Sequence, residues 1–130
     1  MKLRLRGNSL RIRITRTEIT QLTATGRLES RVQLGATPEE VLTYQLATDA
    51  GITTPVCRFL GNVIQVCLPR TQALAWAAGS TVGLYAQTSW DLQLAVEKDF
   101  KCLDPRREED ESDHFENPLA AHPGCAAGPA

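Results

Sequence analysis

Shifted by 54 residues, the chain matches itself: Arg6-Gly7-Asn8-Ser9-Leu10-Arg11-Ile12-Arg13-Ile14-Thr15-Arg16-Thr17-Glu18 falls on Leu60-Gly61-Asn62-Val63-Ile64-Gln65-Val66-Cys67-Leu68-Pro69-Arg70-Thr71-Gln72. A self-match of this period constrains the fold more tightly than composition does, because both copies must build the same order of elements. Gly-Asn between alternating apolar runs is a hairpin signal, with Gly supplying the positive φ of a type II′ turn. Thr15-x-x-Glu18 reads as a capping box that opens a helix, and Pro69 suits the first helical position of the second copy. Gly26 and Gly79 supply the helix stops. Two alternating segments follow each stop, Leu28 to Leu34 and Leu42 to Thr48 in the first copy, Thr81 to Thr88 and Leu92 to Lys98 in the second. The predicted order is ββαββ twice, in pseudo-repeats over residues 1–50 and 54–99.

Eight strands and two short helices joined mostly by hairpins predict an α+β fold. Its strands are mostly antiparallel and form a barrel or a strongly curled sheet, since closure removes exposed edges. Gly35 to Glu40 reads as a loop or a single helical turn. With 130 residues, the chain buries about two thirds of its unfolded surface and needs no staples. A single domain is expected over residues 1–103, followed over 104–130 by an acidic and then Ala/Gly/Pro-rich tail, partly disordered. No apolar run approaches the roughly 18 residues of a membrane span, and Met1 to Arg6 alternates where a signal peptide would be continuously apolar. The expected location is the cytoplasm, with no membrane partner.

The net charge of -1 conceals a segregation: residues 1–16 carry six cations and no acid, whereas residues 104–116 carry seven acids against Arg106 and Arg107. A two-residue turn sets the register of the first hairpin, placing Leu3, Leu5, Leu10 and Ile12 on its core face and Lys2, Arg4, Arg6, Arg11 and Arg13 on the other. Like charges directly across a ladder cost about 0.2–1 kcal/mol each, so something must offset them. The same register in the second hairpin puts Cys57, Phe59, Ile64 and Val66 inside and leaves Val56, Arg58, Leu60, Gln65 and Cys67 opposite. That face is nearly uncharged, so the charge is no requirement of the shared fold. Carried to later strands, the same parity adds Arg27, Arg31 and Arg58, with Glu29, Glu97 and Asp99, to give eight cations against three acids. Arginine forks match phosphate and carboxylate oxygens in pairs. Lys2, Arg4, Arg6, Arg11, Arg13 and Arg31, with Glu97 and Asp99, are therefore the candidate ligand-binding residues, and an anionic small molecule is the expected partner. The plain alternative is a solvated strand face partly paired with Glu.

No catalytic residues are assigned: no Ser/His/Asp arrangement, phosphate-cradling Gly loop or paired-Cys motif is present. Cys57 and Cys67 fall on opposite faces, which disfavours a bridge. Cys102, His114, His122 and Cys125 match no zinc spacing, and residues 108–118 lack the alternating ligands and central Gly of a calcium loop, so neither metal nor cofactor is expected. Aromatic residues make up 5% of the chain and none interleaves the Arg face in this reading, which disfavours nucleic acid.

Arg6-Gly7-Asn8-Ser9-Leu10-Arg11, Glu97-Lys98-Asp99-Phe100-Lys101-Cys102-Leu103, and Glu109-Asp110-Glu111-Ser112-Asp113 followed by Phe115 and Asn117-Pro118 resemble a family of small uncharacterised bacterial proteins. The resemblance spans roughly residues 1–118. It implies a bacterial cytosolic protein, makes Cys102, Asp110 and Asp113 family features, and supplies no catalytic residues. At the level of fold alone, duplicated units closing into an eight-stranded barrel lined by Arg and Glu are similar to the triphosphate-tunnel (CYTH-like) enzymes. Those carry Glu-x-Glu-x-Lys on the first strand, where this chain reads Lys2-Leu3-Arg4-Leu5-Arg6. The leading expectation is an anion-binding protein. One alternative is a metal-dependent phosphohydrolase using Glu97, Asp99 and Glu29, and another is an interaction module using the acidic tail.

Overall fold

A computed structural model describes residues 1–100; the acidic segment, Cys102, Asp110, Asp113 and the Ala/Gly/Pro-rich end lie outside the described residues. The first hairpin, β1 (Lys2–Arg6) and β2 (Ser9–Ile14), has the register that alternation demands, with Lys2 opposite Arg13, Arg4 opposite Arg11 and Leu3 opposite Ile12. Leu10, Ile12 and Ile14 are buried, while Arg11 and Arg13 between them stay partly exposed. α1 (Arg16–Thr25) starts at Thr15: the Glu18 carboxylate accepts the Thr15 backbone N–H at 2.9 Å, and the Thr15 hydroxyl accepts the Glu18 N–H at 3.3 Å. Gly26, at φ 79°, ends it in the left-handed region that a side chain resists. β3 (Arg27–Gln33) and β4 (Val41–Asp49) follow, joined through the loop at 35–40.

β5 (Val56–Leu60) and β6 (Val63–Pro69) form the second hairpin, α2 (Arg70–Ala78) the second helix, and β7 (Gly83–Gln87) and β8 (Gln93–Lys98) the last pair. Two local expectations are corrected. At the first turn only Gly7 has positive φ, as type II′ requires, but at the second both Gly61 and Asn62 do, at 57° and 63°, which is the type I′ pattern. Pro69 is the last residue of β6 and the N-cap of α2 rather than its first helical residue, because its ψ of 129° is extended.

The strands form two four-stranded sheets, β1-β2-β8-β7 and β3-β4-β6-β5, rather than one closed barrel. Four of the strand pairs are antiparallel, and two, β2 with β8 and β4 with β6, are parallel. Each hairpin therefore completes its sheet with strands from the other half of the chain. A single core lies against both sheets and both helices, drawing Ile12 and Val96 from one sheet, Leu46 and Val66 from the other, and Leu22 and Trp76 from the helices. The Trp76 indole N–H donates to the Val82 carbonyl at 3.1 Å, so its polar edge is satisfied in that core. Open sheets leave hairpin tips outside the core: Leu5 and Phe59, both read as core positions, are 61% and 68% exposed.

The Gly-Asn turns have a second role. The Asn8 carbonyl accepts the Gln93 N–H at 3.0 Å and its amide donates to the Trp90 carbonyl at 3.3 Å. The Asn62 carbonyl accepts the Thr43 N–H at 3.0 Å and its amide donates to the Glu39 carbonyl at 3.5 Å. Each turn is stitched to the segment entering the parallel strand beside it.

Candidate functional site

On the outer face of the first sheet, strand register lines up three rows: Lys2, Arg13, Glu97 and Gly83; Arg4, Arg11, Ala95 and Tyr85; Arg6, Ser9, Gln93 and Gln87. The alternation that buries Leu10, Ile12 and Ile14 forces Arg11 and Arg13 outward, and the parallel pairing of β8 brings Glu97 beside them. Glu97 Oε1 lies 3.2 Å from Arg11 Nε and 3.6 Å from Arg13 Nε, while its Oε2 accepts the Tyr85 hydroxyl at 2.7 Å. Oε1 is buried and accepts no well-aligned hydrogen bond, so the charge of the two guanidinium groups is what holds it. Lys2 Nζ pairs with Asp99 at 3.0 Å, and the Asp99 N–H donates to the Ile14 carbonyl at 2.8 Å, which extends the β2–β8 ladder by one residue.

The Glu97 side chain is 13% exposed, against 39% for Arg11 and 38% for Arg13. Two partly exposed arginine side chains thus share one carboxylate that is more covered than they are. Among the described residues, five cations and two acids occupy this face, a formal balance of +3.

Of the sequence-predicted residues, the structure brings Lys2, Arg4, Arg6, Arg11, Arg13, Glu97 and Asp99 to this face and its edge. Arg31 is on β3 in the second sheet, with Arg27 and Glu29, and Arg58 is on β5 of that sheet. The single face of eight cations is therefore divided five and three, because parity along a strand says which side a residue takes but not which sheet the strand joins. Glu29 is spent on its own sheet: it accepts from Gln45 at 2.8 Å, Gln45 accepts from Gln65 at 3.0 Å, and Gln65 accepts from Arg58 at 3.4 Å, one polar row across four strands. Arg58 also donates to Cys67 Sγ at 3.2 Å. Burial pushes the Cys67 thiol up; Arg58 pulls it down and Asp49 pushes it up, and the balance is upward. Burial, and then the neighbouring Cys67, likewise raise the Cys57 thiol. Both are free cysteines. A cleft of about 440 Å³ opens at this sheet between the end of α1 and the start of α2, lined among others by Arg27, Gln65 and Arg70.

Sequence reasoning missed Tyr85, Gly83 and Ala95. Tyr85 lies in the Arg4–Arg11 row, but seeing that requires the β2–β8 pairing, which no local pattern encodes. Among the described residues no three His, Cys, Asp or Glu side chains gather in a way that would hold a metal.

These features define a two-sheet α+β protein with a cationic strand face organised around one carboxylate. The chain belongs to a family of unknown function (DUF7009), whose model matches residues 1–119, nearly the span over which the sequence resembles an uncharacterised family. No curated protein and no solved structure matches it.

Proposed function

We propose that this protein binds a phosphate-bearing or other small anionic ligand on the outer face of the first sheet, with Arg11 and Arg13 at the centre and Lys2, Arg4 and Arg6 around them. One observation carries the reading: Arg11 and Arg13 converge on a single carboxylate whose Oε1 is buried. Glu97 relieves part of their repulsion and fixes the guanidinium groups, yet cancels only one of their two positive charges. A face meant only for solubility has no need to restrain its arginines, because separate exposed side chains hydrate well on their own. Thermal shift with tripolyphosphate, nucleotides and sulfate tests the reading. A ligand at 100 times its dissociation constant adds about 2.7 kcal/mol, and Arg11→Gln with Arg13→Gln removes the effect. No shift with any anion means that the face is only solubilising.

The metal-dependent phosphohydrolase has less support, since Glu97 is already held by two arginines and a tyrosine and Glu29 belongs to the other sheet. The acidic interaction segment lies outside the described residues. The reading also includes a duplicated ββαββ unit, supported by the equivalent stitching of the two Gly-Asn turns. A bacterial cytoplasmic setting rests on the sequence resemblance. No helix among the described residues is long and apolar enough to cross a membrane.

A further inference from the structure

The cleft of about 440 Å³ at the second sheet has the size of a small-molecule pocket, which runs from about 300 to 1,000 Å³. Two junctions between strand and helix make it. Gly26 turns the chain out of α1 directly into Arg27, the first residue of β3, and Pro69 ends β6 directly before Arg70, the first residue of α2, so both arginines border one opening. No Asp or Glu is among the described residues that line it. Arg27 donates to Glu29 at 3.4 Å, a contact that uses one of its five N–H donors. Arg70 is exposed, and its side chain has no hydrogen bond or ion pair among the described residues. Ala47, opposite Arg27, joins buried Ala73 and 44%-exposed Leu74 to give the cleft an apolar side. The other half of the chain shows why space is open here. Thr48 pairs with Leu68 as Lys98 pairs with Ile14, and Leu68 falls on Ile14 in the 54-residue self-match. Lys98 Nζ donates to the carbonyl of Gly79, the C-cap of α2, at 2.8 Å, whereas the shorter Thr48 leaves a cleft beside Gly26, the C-cap of α1.

We propose that this cleft is a second binding site, for a small phosphate monoester with an apolar body: the phosphate lies on Arg70 and Arg27, and the body lies against Ala73 and Leu74. Two guanidinium groups match the roughly two negative charges of a phosphate monoester at pH 7, and the site does not depend on the Arg11–Arg13 face. Amide NMR of the full chain, titrated with phenyl phosphate and separately with inorganic phosphate, tests it residue by residue. Phenyl phosphate is expected to move the amides of Gly26, Thr48 and Ala73, and to bind there about tenfold tighter than inorganic phosphate because its ring leaves water. Arg70→Gln should weaken phenyl phosphate at those amides about tenfold or more, and Leu74→Asn should bring it towards inorganic phosphate. Arg11→Gln with Arg13→Gln should leave the cleft signals unchanged. Shifts confined to β1 and β2, no shifts with either probe, or wild-type binding by a folded Arg70→Gln chain overturns the cleft site. Equal affinity of the two probes at the cleft overturns the apolar-bodied ligand. If Arg70→Gln or Leu74→Asn does not fold, the wild-type shift map and affinity ratio decide.

Discussion

Glu97 is one carboxylate that satisfies three side chains, and its charge does most of that. Glu97→Gln keeps the shape but withdraws the countercharge from Arg11 and Arg13. A loss of about 1–2 kcal/mol is expected, read as a lower urea midpoint at unchanged m. An unchanged midpoint would mean that solvent alone neutralises the pair. Gly83→Ala tests the same spot from the backbone side. The added Cβ meets the Val96 carbonyl oxygen at 2.6 Å, and overpacking of this kind costs about 1–3 kcal/mol. Glu18 gives a pH dependence. Burial raises its carboxyl, but the hydrogen bond from the N-terminal ammonium, the Thr15 N–H, the terminal charge and the Thr15 hydroxyl together bring it below the ordinary carboxylate value. A carboxyl lowered on folding stabilises the protein above its unfolded pKa, and that stability is lost as pH falls through the folded pKa. The urea midpoint should therefore fall on acidification below about pH 4.3, where an unfolded glutamate protonates. Glu18→Gln should fall less steeply, and parallel curves would contradict the assignment.

At the scale of elements, the two Gly-Asn turns make unequal demands on equivalent residues. Asn62 sits at φ 63°, whereas Asn8 is not among the residues of positive φ. Both Asn8→Ala and Asn62→Ala lose one side-chain hydrogen bond, but Asn62→Ala also forces an alanine into the left-handed region, about 1–2 kcal/mol, so its urea midpoint should lie well below that of Asn8→Ala. Equal midpoints would argue that both turns share one conformation. Local chemistry was legible here: the capping box, the helix stops and the hairpin registers all depend on residues within a few positions of one another. Pro69 shows the limit, since both a helix start and a strand end tolerate its fixed φ and only the neighbouring strand β4, which pairs Asp49 with it, decides.

For the whole molecule, local patterns determine faces but not neighbours. Leu10, Ile12, Leu94 and Val96 could be assigned to one side of their strands, yet nothing in the alternation says that β8 lies parallel to β2. The sheet containing Arg31 was misjudged for that reason, and Tyr85 was missed for the same one. The two parallel pairings also set when the chain can acquire structure during synthesis. The first sheet joins Lys2 to Lys98, so its second half is the last part of the folded unit to be made. Until β8 has left the ribosome, β2 has one unpaired edge and Leu10, Ile12 and Ile14 lack the Leu94 and Val96 that cover them. Pulse proteolysis of stalled nascent chains should find the emerging protein sensitive until residue 98 is clear of the exit tunnel, then resistant in a single step. Resistance acquired once the second sheet alone has emerged would show that the β3-β4-β6-β5 half folds without its partner.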